Sequence, residues 1–322
     1  MTEQAAATQA VVDALGQITF GPESTFENLS IVALLRDEER DAGYVTLDEA
    51  LAGGCAQITE VSDAGQVSAL QVVVNGAEPV LLLDGEELIG AKQNRVMNLT
   101  IMAPPARATV IPVSCVESGR WHHVSRGFAS APRAQFAEGR AAKMQQVTAS
   151  LKGPGSRASD QGAVWNLIGE KSVRLSAMSP TSAMSAVFDK LEMPIEEFVA
   201  AFAPVERQVG AMFFINGAQA GLELFDAAST WRKLAPKLVR SYAVDAIDRR
   251  GTPSRPRVPQ TAKAFATAVG SAPASVFAAV GEGHDVRLTG ADVAGAALVA
   301  RGRVIHLSAF PVAERMVQPS VS

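Results

Sequence analysis

Lys92-Gln93-Asn94-Arg95 sets four polar side chains in a row between two apolar runs. A guanidinium forks onto phosphate or carboxylate, an ammonium supplies a point charge, and amides read donor and acceptor edges together. That set suits an anionic ligand bearing ring nitrogens or hydroxyls, such as a nucleotide or a phosphorylated sugar. The same four would equally serve an irregular loop whose amides tie down backbone groups. If the row is a strand, only alternate members share a face. Just upstream, Asp84-Gly85-Glu86-Glu87 puts two acids after a turn. Either could act as a general base, with Glu86 the better candidate because it follows the glycine. The simpler reading is a solvated turn pair, or a salt bridge to Arg95.

Downstream, Ser114-Cys115-Val116-Glu117-Ser118-Gly119-Arg120-Trp121 ends an apolar strand on a thiol, a carboxylate, a guanidinium and an indole. Trp121 would stack on a ring, Arg120 would meet an anion, and Glu117 is a second candidate base. The alternative is a Glu117–Arg120 salt bridge capped by a core indole. Cys115 followed by His122 and His123 has the residue types of a nucleophile and its base. Thiol enzymes, however, draw their imidazole from elsewhere in the chain, and Cys115 reads better as a small buried hydrophobe. Glu117 with His122 and His123 matches no metal-ligand spacing, so no metal site is assigned. His306 and Glu223 sit inside apolar strands and read as hydrogen-bonded strand residues. There is no P-loop, no G-x-G-x-x-G at a strand–helix junction, no G-x-S-x-G elbow and no H-E-x-x-H.

The elements that must hold these groups follow from size and periodicity. At 322 residues, 48% hydrophobic and 19% charged, the chain can bury one large core or two modest ones. A net charge of -4, with both signs interspersed, argues against nucleic acid and against an anionic membrane surface as partners. Two cysteines, Cys55 and Cys115, are too few for a disulfide scaffold and read as reduced thiols of a cytoplasmic protein. Residues 1–16 read as a leader helix without the basic start of a signal peptide. No apolar run reaches the roughly 18 residues that would cross a bilayer.

From residue 17 to 124 the dominant period is two, with candidate strands at 29–35, 57–61, 69–74, 80–84, 96–102 and 109–115. Residues 133–151 form an Ala-, Gln- and Lys-rich pattern with sparse apolar anchors, which reads as a surface helix. Further helices are expected at 161–171, 181–190 and 194–202. Period two returns at 210–215 and 221–225 around the hairpin dipeptide Asn216-Gly217. A long helix follows over 230–248, with Leu234, Leu238, Tyr242 and Ala246 at i+4 spacing and Pro236 near its start or kinking it. Residues 250–260 read as a loop. A helix at 260–269 and strands at 275–280, 295–300 and 303–308 complete the pattern. Strand-rich, helix-rich, then strand-rich order predicts an α+β fold. Its mostly antiparallel sheet would combine N-terminal and C-terminal strands, with the central helices covering one face. The expected organisation is one domain over 17–312, followed by a tail over 313–322.

The run from Leu83 through Asp84, Gly85, Glu86 and Glu87 to Gly90-Ala91-Lys92-Gln93-Asn94-Arg95 resembles a bacterial and archaeal family. So do Pro112 to Glu117 and Gly119-Arg120-Trp121. The family is named for its association with ADP-ribosylglycohydrolase and rhodanese-phosphatase proteins. The resemblance extends from about residue 20 to 312 and departs from the pattern at Ala91, where a second glycine is expected. It implies a role around NAD-derived or ADP-ribose metabolites and brings no established catalytic residue. Combined with the residues themselves, the expectation is a protein that binds a small anionic metabolite and in a fuller version hydrolyses it. Lys92 and Arg95 would hold phosphate, with Arg120 as a further anion contact. Gln93 or Asn94 would read polar edges, Trp121 would stack, and Glu86 or Glu117 would be the base. The competing expectation is a non-catalytic sensor or interaction module whose polar cluster is structural. Neither version specifies a cofactor or an oligomeric state.

Overall fold

The computed structural model describes residues 2–62, 65–253 and 260–312. The expected tail over 313–322 and most of the 250–260 loop lie outside these. The described residues form an α+β fold with a large antiparallel sheet.

That sheet has eight strands. In spatial order they are Thr19–Phe26 (β1), Leu29–Leu35 (β2), Gln208–Ile215 (β12), Ala218–Phe225 (β13), Arg303–Pro311 (β17), Val293–Ala300 (β16), His284–Thr289 (β15) and Ala274–Ala278 (β14). The central strand β12 is buried at every position, which is why it reads as a nearly continuous apolar run. From Ala211 onward its odd and even residues feed different cores, and Val209, beside the register shift between Gln208 and Gly210, joins the even set. Ala211, Phe213 and Ile215 pack on one face, Val209, Met212 and Phe214 on the other. Outer strand β1 is mostly exposed, carries Gly21 and Pro22, and breaks register against β2 between Phe20 and Glu23.

Residues 45–134 build a second body. A six-stranded sheet runs Phe128–Ala134 (β11), Glu86–Gly90 (β7), Arg95–Met97 (β8), Ala108–Cys115 (β10), Ala69–Val74 (β5) and Ala56–Glu60 (β4). Its outer strands β11 and β4 lie against each other, so the sheet curls round its own core of Ile58, Leu70, Val72, Met97 and Val113. β10 pairs with β5 up to Pro112 and with β8 from Val113 onward. Val45–Thr46 (β3), Val80–Leu82 (β6) and Ile101–Ala103 (β9) form a three-stranded sheet beside it. β6 and the residue after it alternate between bodies: Val80 and Leu82 face the curled core, Leu81 and Leu83 the main core. The expected strand over 96–102 is therefore two strands in two sheets. Asn98 separates them, with Nδ2 donating to the Arg157 carbonyl at 3.0 Å and Oδ1 accepting from the Ser114 hydroxyl at 2.5 Å.

The helices are Glu3–Gly16 (α1), Leu47–Ala52 (α2), Ala137–Lys152 (α3), Gln161–Arg174 (α4), Ser185–Lys190 (α5), Glu192–Ala201 (α6), Ala228–Asp248 (α7) and Gln260–Ser271 (α8). α3, α6 and α7 cover one face of the large sheet, as the central helices were expected to. The other face is covered too, by α1 and α8 through Ala7, Val11, Phe265 and Val269. Pro236 lies inside α7, beyond its first turn. Gly221 is required by packing, because a Cβ there would lie 2.1 Å from the Tyr242 hydroxyl.

Candidate functional site

Lys92, Gln93 and Asn94 lie in the turn between β7 and β8, and Arg95 opens β8. Gly90 has φ 137° and Ala91 has φ 38°, so Ala91 holds a left-handed conformation that favours glycine while fully buried. Its backbone is pinned. The Ala91 N–H donates to Ser125 Oγ at 2.9 Å, and its carbonyl accepts from Arg120 Nη1 at 2.8 Å and the Val124 N–H at 3.0 Å. The turn is closed from within. Gln93 Nε2 donates to the Glu117 carbonyl at 2.8 Å, and the Asn94 N–H donates to Glu117 Oε2 at 3.3 Å. Arg120 bonds Asn94 Oδ1 at 3.0 Å and approaches Glu117 Oε2 to 2.6 Å. Burial would raise the Glu117 carboxyl, but hydrogen bonds from Arg120, Thr181 and the Asn94 backbone hold it below the usual carboxylate range.

Arg95 is different. It is fully buried, and its Nη1 reaches Gln93 Oε1 at 3.1 Å. Its Nε and Nη2 have no hydrogen-bond partner among the described residues. The guanidinium lies 5.7 Å from the ring centre of Trp121, and Lys92 Nζ lies 5.5 Å from the same ring. Trp121 itself is 48% exposed. Burial lowers the Arg95 pKa, and neighbouring Cys115 and Glu60 push it back up. Glu60, at the end of β4, also has both carboxylate oxygens buried without partners among the described residues. Nothing in its sequence context singled it out, since it sits in an ordinary alternating strand.

Cys115 is buried, its thiol donating to Gln93 Oε1 at 3.0 Å, and burial pushes its pKa up to about 11. His122 and His123 are exposed. The arrangement makes no thiolate near neutrality. Iodoacetamide at pH 7.5 is therefore expected to alkylate exposed Cys55 and leave Cys115 unmodified in the folded protein. Intact mass should show one adduct; rapid double labelling without unfolding would contradict the burial.

Glu86 and Glu87 are not brought to this corner. Glu86 is buried and pairs with Lys237 of α7, while its oxygens also accept from Ser130 Oγ at 2.9 Å and the Leu83 N–H at 3.1 Å. Lys237 also meets Asp48 at 2.8 Å, tying α2, β7 and α7 together. Glu87 pairs with Arg133 at 2.5 Å, yet its full burial still raises its carboxyl. Among the described residues no group of His, Cys, Asp and Glu is placed to hold a metal ion.

The expected surface helix α3 in fact buries Arg140 and Lys143 completely. Arg140 bonds Glu223 at 2.6 and 3.2 Å and Asp84 at 3.3 Å. Glu223 also accepts from Tyr242 at 2.9 Å and contacts His306 Nε2 at 3.0 Å, and the other ring nitrogen of His306 meets Thr100 at 2.8 Å. Lys143 pairs with Asp84 at 3.2 Å. Burial opposes ionisation of Glu223, but Arg140 and His306 hold it below its ordinary value; burial lowers Lys143 in spite of Asp84. This network joins the curled sheet to the large one. Gly85 makes room for it: at φ 77°, a Cβ there would lie 2.7 Å from Arg140 Cδ.

No helix among the described residues is long and apolar enough to cross a membrane. No curated protein and no solved structure matches the chain. A family model does match, over residues 17–310, and includes the β7–β8 turn, the Glu117–Trp121 segment and the buried network. The chain belongs to the ARPP-1 family, the ARG and Rhodanese-Phosphatase-superfamily-associated Protein domain.

Proposed function

We propose that this chain binds a small anionic, ring-bearing metabolite of the NAD or ADP-ribose kind at the Arg95–Trp121 corner. The carrying observation is Arg95, a buried guanidinium with two donor nitrogens unpartnered among the described residues, beside a half-exposed indole. Leaving such donors unmet costs free energy that a structural arginine would not incur. A phosphate or carboxylate that moves in as the indole shifts would bond both nitrogens, with the ligand ring stacked on Trp121. The family's association with ARG and rhodanese-phosphatase proteins agrees with that ligand class. Hydrolysis would be a further step of the same proposal. Glu117 is its candidate base, since Arg120 keeps it ionised next to Gln93 and Asn94, whereas Glu86 is engaged by Lys237.

A second reading, a non-catalytic sensor or interaction module, is favoured by one observation. Gln93, Asn94, Glu117 and Arg120 spend their hydrogen bonds on one another and on backbone. Thermal shift and tryptophan fluorescence with ADP-ribose, NAD, AMP and ribose 5-phosphate separate the two. A ligand at a hundred times its Kd should add about 2.7 kcal/mol of stability. The gain should vanish in Arg95→Gln and in Trp121→Ala, the latter at an exposed position that leaves the fold intact. Equal stabilisation of both variants would remove this corner from consideration, and no response to any of the four compounds would favour the second reading.

A further inference from the structure

The two margins of the eight-stranded sheet differ. β1 is irregular, with its register slip against β2, whereas β14 at the opposite margin pairs with β15 without a shift. Its sequence is Ala-Ser-Val-Phe-Ala over 274–278. It holds no proline, glycine, bulge or charged side chain, the usual devices that stop an outer strand from pairing with another chain.

The ladder shows which of its backbone groups are open. The Ala279 N–H donates to the Gly283 carbonyl at 3.1 Å, and the Thr289 N–H to the Pro273 carbonyl at 3.0 Å. Bonding alternates along an antiparallel pair, so Ser275 and Phe277 turn their amides and carbonyls toward β15, and Ala274, Val276 and Ala278 turn theirs outward. Arg157 Nη2 donates to the Ala278 carbonyl, as that alternation requires. The amides and carbonyls of Ala274 and Val276 have no partner among the described residues. The side chains of Ala274 and Val276 pack toward the core beneath α1 and α8, which leaves Ser275 and Phe277 half-buried on the opposite face.

We infer that β14 is a docking edge for a second copy of this chain, joined antiparallel about a two-fold axis at Ser275. Ala274 of each copy then faces Val276 of the other, and four backbone hydrogen bonds form from groups that are open in the single chain. Ser275 opposes its own copy, and Phe277 meets the partner's Pro273. The pairing stops short of Ala278, whose carbonyl stays with Arg157. A second copy fits because the edge is its own complement. Like residues meet across a two-fold axis, so a charged outer strand would repel itself and this uncharged one does not. Because β1 offers no comparable edge, the assembly stops at a closed pair. Two short strands bury less than a standard interface, so the dissociation constant falls in the micromolar range. The edge shares no residue with the Arg95–Trp121 corner and is independent of it.

Sedimentation equilibrium on the full chain should show monomer passing to dimer as concentration rises through the micromolar range. Val276→Pro deletes an outward amide that β15 does not use, and with it two of the four intermolecular bonds. It should weaken dimerisation at least tenfold and leave the melting temperature of the monomer unchanged. Should that variant melt early, Ser275→Lys carries the test, since it sets like charges directly opposite each other without touching the backbone. Disulfide trapping in a Cys55→Ser background, which removes the exposed thiol, reads the register. Ser275→Cys should cross-link to its own copy under mild oxidation, and Ala278→Cys, displaced along the strand, should not. A wild type that stays monomeric throughout, a dimer unaffected by both Val276→Pro and Ser275→Lys, or equal trapping by Ser275→Cys and Ala278→Cys would each overturn the assignment.

Discussion

Arg140→Met is expected to destabilise the fold by about 3–5 kcal/mol, the usual cost of removing one partner from a buried ion pair. The magnitude follows from what remains. Glu223 is fully buried and loses both of its bonds from Arg140, at 2.6 and 3.2 Å. Asp84 keeps Lys143 at 3.2 Å, so the second carboxylate is not stranded. Tyr242 and His306 still serve Glu223, which places the effect within that range rather than above it. The double variant Arg140→Met/Glu223→Leu should recover much of the stability, because no charge is then left without a counter-ion. Urea unfolding followed by circular dichroism measures both. A single variant within 1 kcal/mol of wild type would mean that the network is open to water.

Lys171→Met should be of similar size, because one ammonium serves three carboxylates. Its Nζ lies 2.9 Å from Glu138, 2.5 Å from Asp245 and 2.9 Å from Asp248. Burial raises the Asp245 carboxyl even with this partner, whereas Glu138 and Asp248, also opposed by burial, are held down by Lys171 and its neighbours. Losing the ammonium leaves Asp245 buried with its negative charge uncompensated, at a cost of about 3–5 kcal/mol. The same group sets a pH dependence. Burial opposes the charged amine, but the three acids win and the Lys171 pKa is raised. A raised pKa means that this contribution is fully present below the unfolded value of about 10.4 and is lost as pH rises through the folded one. The wild type should therefore lose stability steeply above about pH 10.4, and Lys171→Met should lose less over that interval. Parallel alkaline unfolding curves for the two would refute the assignment.

The parts of this architecture carried by local pattern were legible in the sequence. The 210–225 hairpin announced itself through two apolar runs about Asn216-Gly217, and α7 through its i+4 stripe. What escaped was wherever a charged side chain is buried against a partner distant along the chain. Glu86 and Glu87 read as turn acids, yet they open strand β7, because Lys237 and Arg133 neutralise them. Arg140 and Lys143 made α3 look like a surface helix, and only the folded position of Glu223 and Asp84 shows why they are inside. β11 was hidden by Pro132, which an outer strand tolerates because it need not donate on both sides. At the candidate site, the sequence picked out the turn and the indole, but it held no sign that Glu60 would face Arg95 across the curled sheet. Nor did it distinguish Arg95, with two open donor nitrogens, from Gln93, Asn94 and Arg120, whose bonds close on themselves.

The irregular outer strand β1 has a consequence for how these molecules behave at high concentration. Immediately inside it lie β2 and β12, apolar enough to template stacking between chains if their margin were flat. Pro22 contributes no amide hydrogen, and the slip between Phe20 and Glu23 twists the rim out of line. A neighbouring chain that tried to extend the sheet there would find its hydrogen-bond ladder interrupted, so this margin protects the protein from fibrillar self-association.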